Sequence, residues 1–128
     1  MSGDPPTTPH FPSPAPIDAY GNGGFRFADM SHRGSLLCLP DGIWAWDVTS
    51  PGMIDAASLA QVFEQAPHID TLIVGTGIEV WIAPQTLRAA LRERKIVLDT
   101  MQTGPAIRTY NVMMGEGRRV AAALVAVP

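Results

Sequence analysis

Residues 72–77, Leu-Ile-Val-Gly-Thr-Gly, restrict the fold of this chain more than any other stretch. Three apolar residues, two of them β-branched, run straight into glycines that a strand interior would not tolerate. They predict a short buried strand, residues 71–74, ending abruptly in a tight loop. Residues 78–82 then cross from that loop to a helix opened by Pro84, whose missing N–H costs nothing in a first turn. Leu87, Ala90 and Leu91 share its inner face, Arg88, Arg92 and Glu93 face water, and Arg94 and Lys95 complement the helix dipole. Ile96-Val97-Leu98-Asp99 is a second β-rich run. Two strands joined by a helix in a right-handed crossover are parallel, so both should deliver their C-terminal ends to one rim of a sheet.

The remaining elements fall around this unit. Residues 17–20 and 25–27 flank Gly21-Asn22-Gly23-Gly24, which suits a hairpin turn. A second hairpin joins residues 35–39 to 43–48 through Pro40-Asp41-Gly42, with Trp44 and Trp46 on one face and Ile43 and Ala45 on the other. Both hairpins are expected at one end of a mixed sheet. A helix capped by Asp55, with Ile54 stapled to Leu59, carries Leu59, Val62, Phe63 and Ala66 inward and ends at Pro67. A third helix spans residues 104–114 with Thr103 as its cap, Ile107, Tyr110 and Met114 inward, and Gly115 or Gly117 as its stop. Residues 120–127 are apolar on both faces, as a strand in the interior of a sheet must be. The fold class expected is α/β with an α+β tendency: three layers, a mixed β-sheet with N-terminal antiparallel hairpins, and a βαβαβ C-terminal part.

Residues 1–16 hold six prolines among Ser and Thr, which excludes helix and sheet ladders, so a mobile tail is expected there and one globular domain over residues 17–128. Nine Lys and Arg against 12 Asp and Glu give a net charge of −3, without the basic footprint of nucleic-acid binding. Cys38 is the single cysteine, so a reducing compartment is the easier home. No apolar run approaches the roughly 20 residues of a bilayer span, and the N-terminus has no signal or transit pattern. A cytoplasmic protein is the expectation.

The rim should bring Gly75-Thr76-Gly77 beside Thr100-Met101-Gln102-Thr103 and the start of the third helix. Open α/β sheets bind ligands there, and a helix N-terminus favours anions. A ligand site would then use Gly75, Thr76, Gly77, Thr100 and Thr103, with Arg108, Asn111 and Arg118 near. Turn glycines and capping threonines explain the same residue types without a ligand. The dinucleotide fingerprint fails, because Val80 stands where its third glycine belongs. His10, His32 and His68 lack partners at metal-ligand spacing, and His32-Arg33 reads as a polar turn, so neither metal nor cofactor is expected. Cys38 shares a face with Leu36 and reads as packing; Glu79 and Asp99 read as solvated carboxylates that share an edge. Trp81 is either a recognition anchor or a cover for the second helix. Asn111, among apolar positions, is suited to tying its helix to a neighbouring segment. Arg118 is placed either to neutralise a carboxylate such as Asp99 or to contact a phosphate.

Taken in order, the strand ending in Gly75-Thr76-Gly77, the helix opened by Pro84, Met101-Gln102-Thr103 with Ala106, Tyr110-Asn111, and Gly117-Arg118 before an alanine-rich strand form a pattern. It resembles the small domain family that includes the mitochondrial NADH dehydrogenase (complex I) assembly factor 3 and adipogenesis-associated proteins. The resemblance covers residues 17–127 and implies a three-layer fold, no established catalytic activity and work through protein partners. Those partners would be respiratory complex I subunits or membrane-insertion machinery. It places the family motif on Gly75, Thr76, Gly77, Pro84, Thr103, Ala106, Tyr110, Asn111 and Arg118. The interaction surface expected involves Trp81 or Trp44, and self-association through Trp-bearing strands is compatible with it. A small-molecule or anion-binding protein working at Gly75–Gly77 is the rival expectation.

Overall fold

The computed structural model describes residues 9–128. Of the mobile tail expected over residues 1–16, residues 1–8 lie outside them. Three strands, β1 (Ile17–Gly21), β2 (Gly24–Phe27) and β3 (Met30–Arg33), form an antiparallel meander. Five more form a mixed sheet in the order β5-β4-β8-β6-β7: β4 (Ser35–Leu39), β5 (Gly42–Trp46), β6 (Thr71–Gly75), β7 (Val97–Met101) and β8 (Val120–Leu124). The expected parallel pairing holds, with Val74 opposite Thr100 and Gly75 opposite Met101. β8 lies in the middle, parallel to β6 and antiparallel to β4.

Strand alternation sorts the core into two halves. Leu37, Leu39, Trp44, Trp46, Leu72, Val74, Ala121 and Ala123 face α1 (Ala60–Glu64) and α2 (Gln85–Glu93). Leu36, Cys38, Ile43, Ile73, Ala122 and Leu124 face α3 (Thr103–Gly115) and the phenylalanines of the meander. The result is helices on one face of the large sheet, and a helix with a small sheet on the other. The small alanines of β8 let α3 approach closely, with Ala106 and Tyr110 fully inside.

Several expectations need correction. Only the β4–β5 hairpin ends the mixed sheet; the first hairpin belongs to the separate meander. Gly34, at a φ of 100° that a side chain would disfavour, breaks the ladder between β3 and β4 so that the two sheets can stack. His32 and Arg33 lie in strand β3, not in a polar turn. Their strand is linked to β2 by Ala28 and Asp29, both at positive φ. The first helix stops at Glu64, and Pro67 sits in a following 3-10 turn, because the chain tightens before the proline. Asp55 does not cap α1, whose N-cap is Leu59 without a side-chain bond; its Oδ1 accepts from the Ser58 N–H at 2.8 Å and closes the turn that precedes the helix. Pro84 is one residue ahead of α2, where its carbonyl accepts from Arg88. β8 ends at Leu124: the Val125 N–H makes the last bond to β6, to the Gly75 carbonyl at 2.9 Å, and the Ala126 N–H then goes to the Ser35 hydroxyl at 2.9 Å instead of a strand. Phe11 bridges to Ile43 and Ala15 is buried, so the described part of the proline-rich stretch lies against the fold.

Candidate functional site

The common rim exists, and its polar groups are turned on one another. Thr103 does not cap its own helix; Gln102 holds that position, and without a side-chain bond. Instead the Thr103 hydroxyl accepts from the Gly77 N–H at 2.9 Å and donates to the Val125 carbonyl at 2.7 Å. The Thr103 N–H donates to the Gly77 carbonyl at 3.1 Å, and the Thr76 N–H to the Met101 carbonyl at 2.8 Å. The Thr76 hydroxyl donates to the Glu79 carbonyl, and the Gln102 amide to the Ile78 carbonyl at 3.0 Å. Gly77 needs its φ of 79° to bring its N–H round to Thr103. A Cβ on Gly75 would sit 3.0 Å from the Thr103 backbone, so glycine lets the two loops touch. At the first turn of α3, the Tyr20 ring lies against Gly104. Together these contacts make a clasp that joins β6, α3 and the exit of β8.

The other residues expected at a ligand site are scattered. Thr100 lies within β7 with its side chain on the α2 face, away from Thr103. Arg108 is exposed on α3. Asn111 ties α3 to β1, donating to the Ile17 carbonyl and accepting from the Ile17 N–H, both at 2.9 Å. Arg118 is exposed, and its nearest carboxylate is Glu116 at 3.9 Å rather than Asp99. Cys38 is fully buried, which pushes its thiol up to about 12 and keeps it protonated. A cleft of about 390 Å³ beside Thr76 and Gly77 carries Glu79 and no cationic side chain.

A different surface stands out on the α2 side. After Gly77 the chain forms an arm, residues 78–82, whose Ile78, Val80 and Ile82 are 67%, 91% and 80% exposed. Trp81 turns the other way and packs, half-buried, against the core beneath α2. Between this arm, α2 and β7 runs a groove of about 400 Å³. Leu98 and the 64%-exposed Val97 line it from β7, and Arg88 and Arg92 line it from α2. Trp44, by contrast, is only 8% exposed and donates its indole N–H to Asp41 at 2.8 Å. Sequence reasoning fixed on Trp81 and passed over its neighbours. The signal was there: three β-branched residues at alternate positions, between a glycine and a proline, that the sheet does not use.

No helix of the described residues is long and apolar enough to cross a membrane. Among solved structures, the Rpa2829 protein from Rhodopseudomonas palustris is 67% identical, with a TM-score of 0.83 over 99% of this chain and 94% of that one. A structure titled as an outer membrane protein from Bartonella henselae is 53% identical, with a TM-score of 0.89 over 93% of this chain and all of its own. The NADH dehydrogenase [ubiquinone] 1 alpha subcomplex assembly factor 3 of Mus musculus is 33% identical over 119 residues. That match takes in 92% of this chain but 64% of the mouse protein, so the chain spans less than two thirds of that relative. A family model described as "Protein of unknown function (DUF498/DUF598)" matches residues 17–125, from the first strand of the meander to the end of the clasp, and the chain belongs to that family.

Proposed function

We propose that this chain is a non-enzymatic protein-interaction module, an assembly factor or adaptor of the kind its mouse relative is named for. Its partners would be subunits of respiratory complex I or machinery of membrane-protein insertion, met from the cytoplasm. The observation that carries the reading is the exposed arm: three large β-branched side chains stand in solvent beside a half-buried tryptophan. Burying each such side chain at an interface contributes about 1.5–3 kcal/mol before association costs, so leaving all three bare favours a surface used in contact. The rival, an anion site at Gly75–Gly77, has less to work with. The clasp already uses the Gly77 and Thr103 N–H groups and both threonine hydroxyls, and the adjoining cleft carries a carboxylate.

The test is deletion of the gene in its host, followed by native-gel and activity measurement of complex I in membranes. A photo-crosslinking residue at position 80 supplies the partner. Reduced assembled complex, with crosslinks to its subunits or to insertion machinery, is expected. Unchanged complex I together with crosslinks to neither would reject the role.

A further inference from the structure

The groove beside β7 has a feature that a general sticky patch lacks. β7 is the outermost strand of the large sheet, and no strand of the described residues lies beyond it. The Val97 N–H donates inward to Asp70 and the Met101 carbonyl accepts inward from Thr76. Backbone direction alternates along a strand, so the N–H and C=O of Leu98 and Thr100 point outward from the sheet. Edges of this kind are usually blunted, and the other edge of this sheet is, where Phe11 bridges to Ile43 on β5. Above the bare edge, Arg88 and Arg92 stand on the groove wall, which no Asp or Glu lines. Neither arginine has a carboxylate within ion-pair distance among the described residues. The chain as a whole is acidic, so this is a local reversal of its charge.

We infer that β7 receives an extended, acidic-and-apolar segment of a partner protein as an added strand. Its backbone pairs with Leu98 and Thr100, its apolar side chains enter the groove over Leu98 and beside Trp81, and its carboxylates meet Arg88 and Arg92. This rests on the interaction-module reading and names the surface and the partner's chemistry. A second copy of the chain fits worse. Antiparallel self-pairing centred on β7 would set Asp99 opposite its own copy and bring the arginines of both α2 helices to one side, and like charges directly opposed are destabilising. A lipid surface offers phosphates for the arginines but no row of amides for the bare edge.

The test uses two synthetic peptides, Thr-Glu-Thr-Val-Thr-Glu-Thr, which as a strand sets its Val and both Glu on one face, and its counterpart with both Glu replaced by Lys, titrated into the isotopically labelled full chain. The acidic peptide should bind about tenfold more tightly at low salt. It should shift the amides of β7 and the Trp81 indole, and slow hydrogen exchange at Leu98 and Thr100. Arg88→Glu combined with Arg92→Glu, both on the exposed face of α2, should invert the preference between the peptides. Thr100→Pro removes one outward N–H while sparing the inward ladder, and should abolish the exchange protection with the fold intact by spectrum. The proposal is overturned by equal affinity for both peptides or by shifts centred on another surface. Concentration-dependent protection of Leu98 and Thr100 without peptide overturns it in favour of a second copy. Binding to phosphatidylglycerol vesicles with no change at those amides overturns it in favour of a membrane. Complementation of the deletion strain separates the two levels. If wild type restores complex I and these variants restore it equally, the added-strand inference fails while the assembly role stands. If the deletion is silent, the role fails, and the peptide titration alone decides the inference.

Discussion

Replacing Thr103 with valine keeps the shape of the side chain and removes the oxygen that makes two of the rim's hydrogen bonds. The hydroxyl is completely buried, accepts from the Gly77 N–H and donates to the Val125 carbonyl. Without it two buried polar groups lose their partner, at about 1–3 kcal/mol each, or about 2–6 kcal/mol together. Valine returns roughly 1 kcal/mol through its extra apolar surface, which leaves a net loss of about 3 kcal/mol. For a chain of this length that is about 10–15 °C in Tm. Thr103→Ser keeps the hydroxyl and drops a methyl, so it should lose only about 1 kcal/mol. Urea unfolding followed by tryptophan fluorescence measures both, provided the m-value stays that of the wild type. A valine variant within 1 kcal/mol of wild type, or a serine variant as damaged as the valine one, would refute the clasp as a stabilising element.

Gly75→Ala should cost about 1–3 kcal/mol by the same assay, because its Cβ would press on the Thr103 backbone and the Leu124 side chain, neither of which can swing away. Cys38 should resist iodoacetamide in the native chain at neutral pH and react only as the chain unfolds, so labelling that outpaces unfolding would contradict its burial. His32 is held below its ordinary value of 6.5, by burial first and by neighbouring His10 second, against a backbone bond to Ser35 that pulls the other way. The unfolded chain therefore binds more protons in the window just below 6.5, and stability should fall as pH drops through it. His32→Gln should flatten that part of the profile, and an unchanged slope would show that other groups cause it.

The parallel pair β6–β7 and the central place of β8 were legible because each is written in burial pattern: apolar runs closed by glycine, and a stretch apolar on both faces. The family likeness was legible for a related reason, as its motif residues include Gly75, Gly77, Thr103 and Asn111, which make the clasp and the tie to β1. Strand β3 was not. Its turn is Ala28-Asp29, both at positive φ, where Asn or Gly would have advertised a two-residue hairpin. Its own residues, Met30-Ser31-His32-Arg33, show little apolar alternation. The separation of the sheets hangs on the single kink at Gly34, which a sequence reads only as one more glycine. At the rim the residue types were right and their bonding partners were not. Threonine beside a helix start reads as a cap until the fold brings Gly77 and Val125 within its reach.

The strand at the centre of the large sheet is the last of its five to be synthesised. Until β8 arrives, β4 and β6 have nothing between them, and the apolar faces of both wait for a neighbour encoded far downstream. A ribosome translating this message therefore holds an unfinished sheet until residue 124 has emerged, and compaction comes in one late event. A chain stopped at Arg119 should be digested throughout by a dilute protease in a pulse that spares the full chain; a resistant fragment would show that the earlier strands can settle on their own.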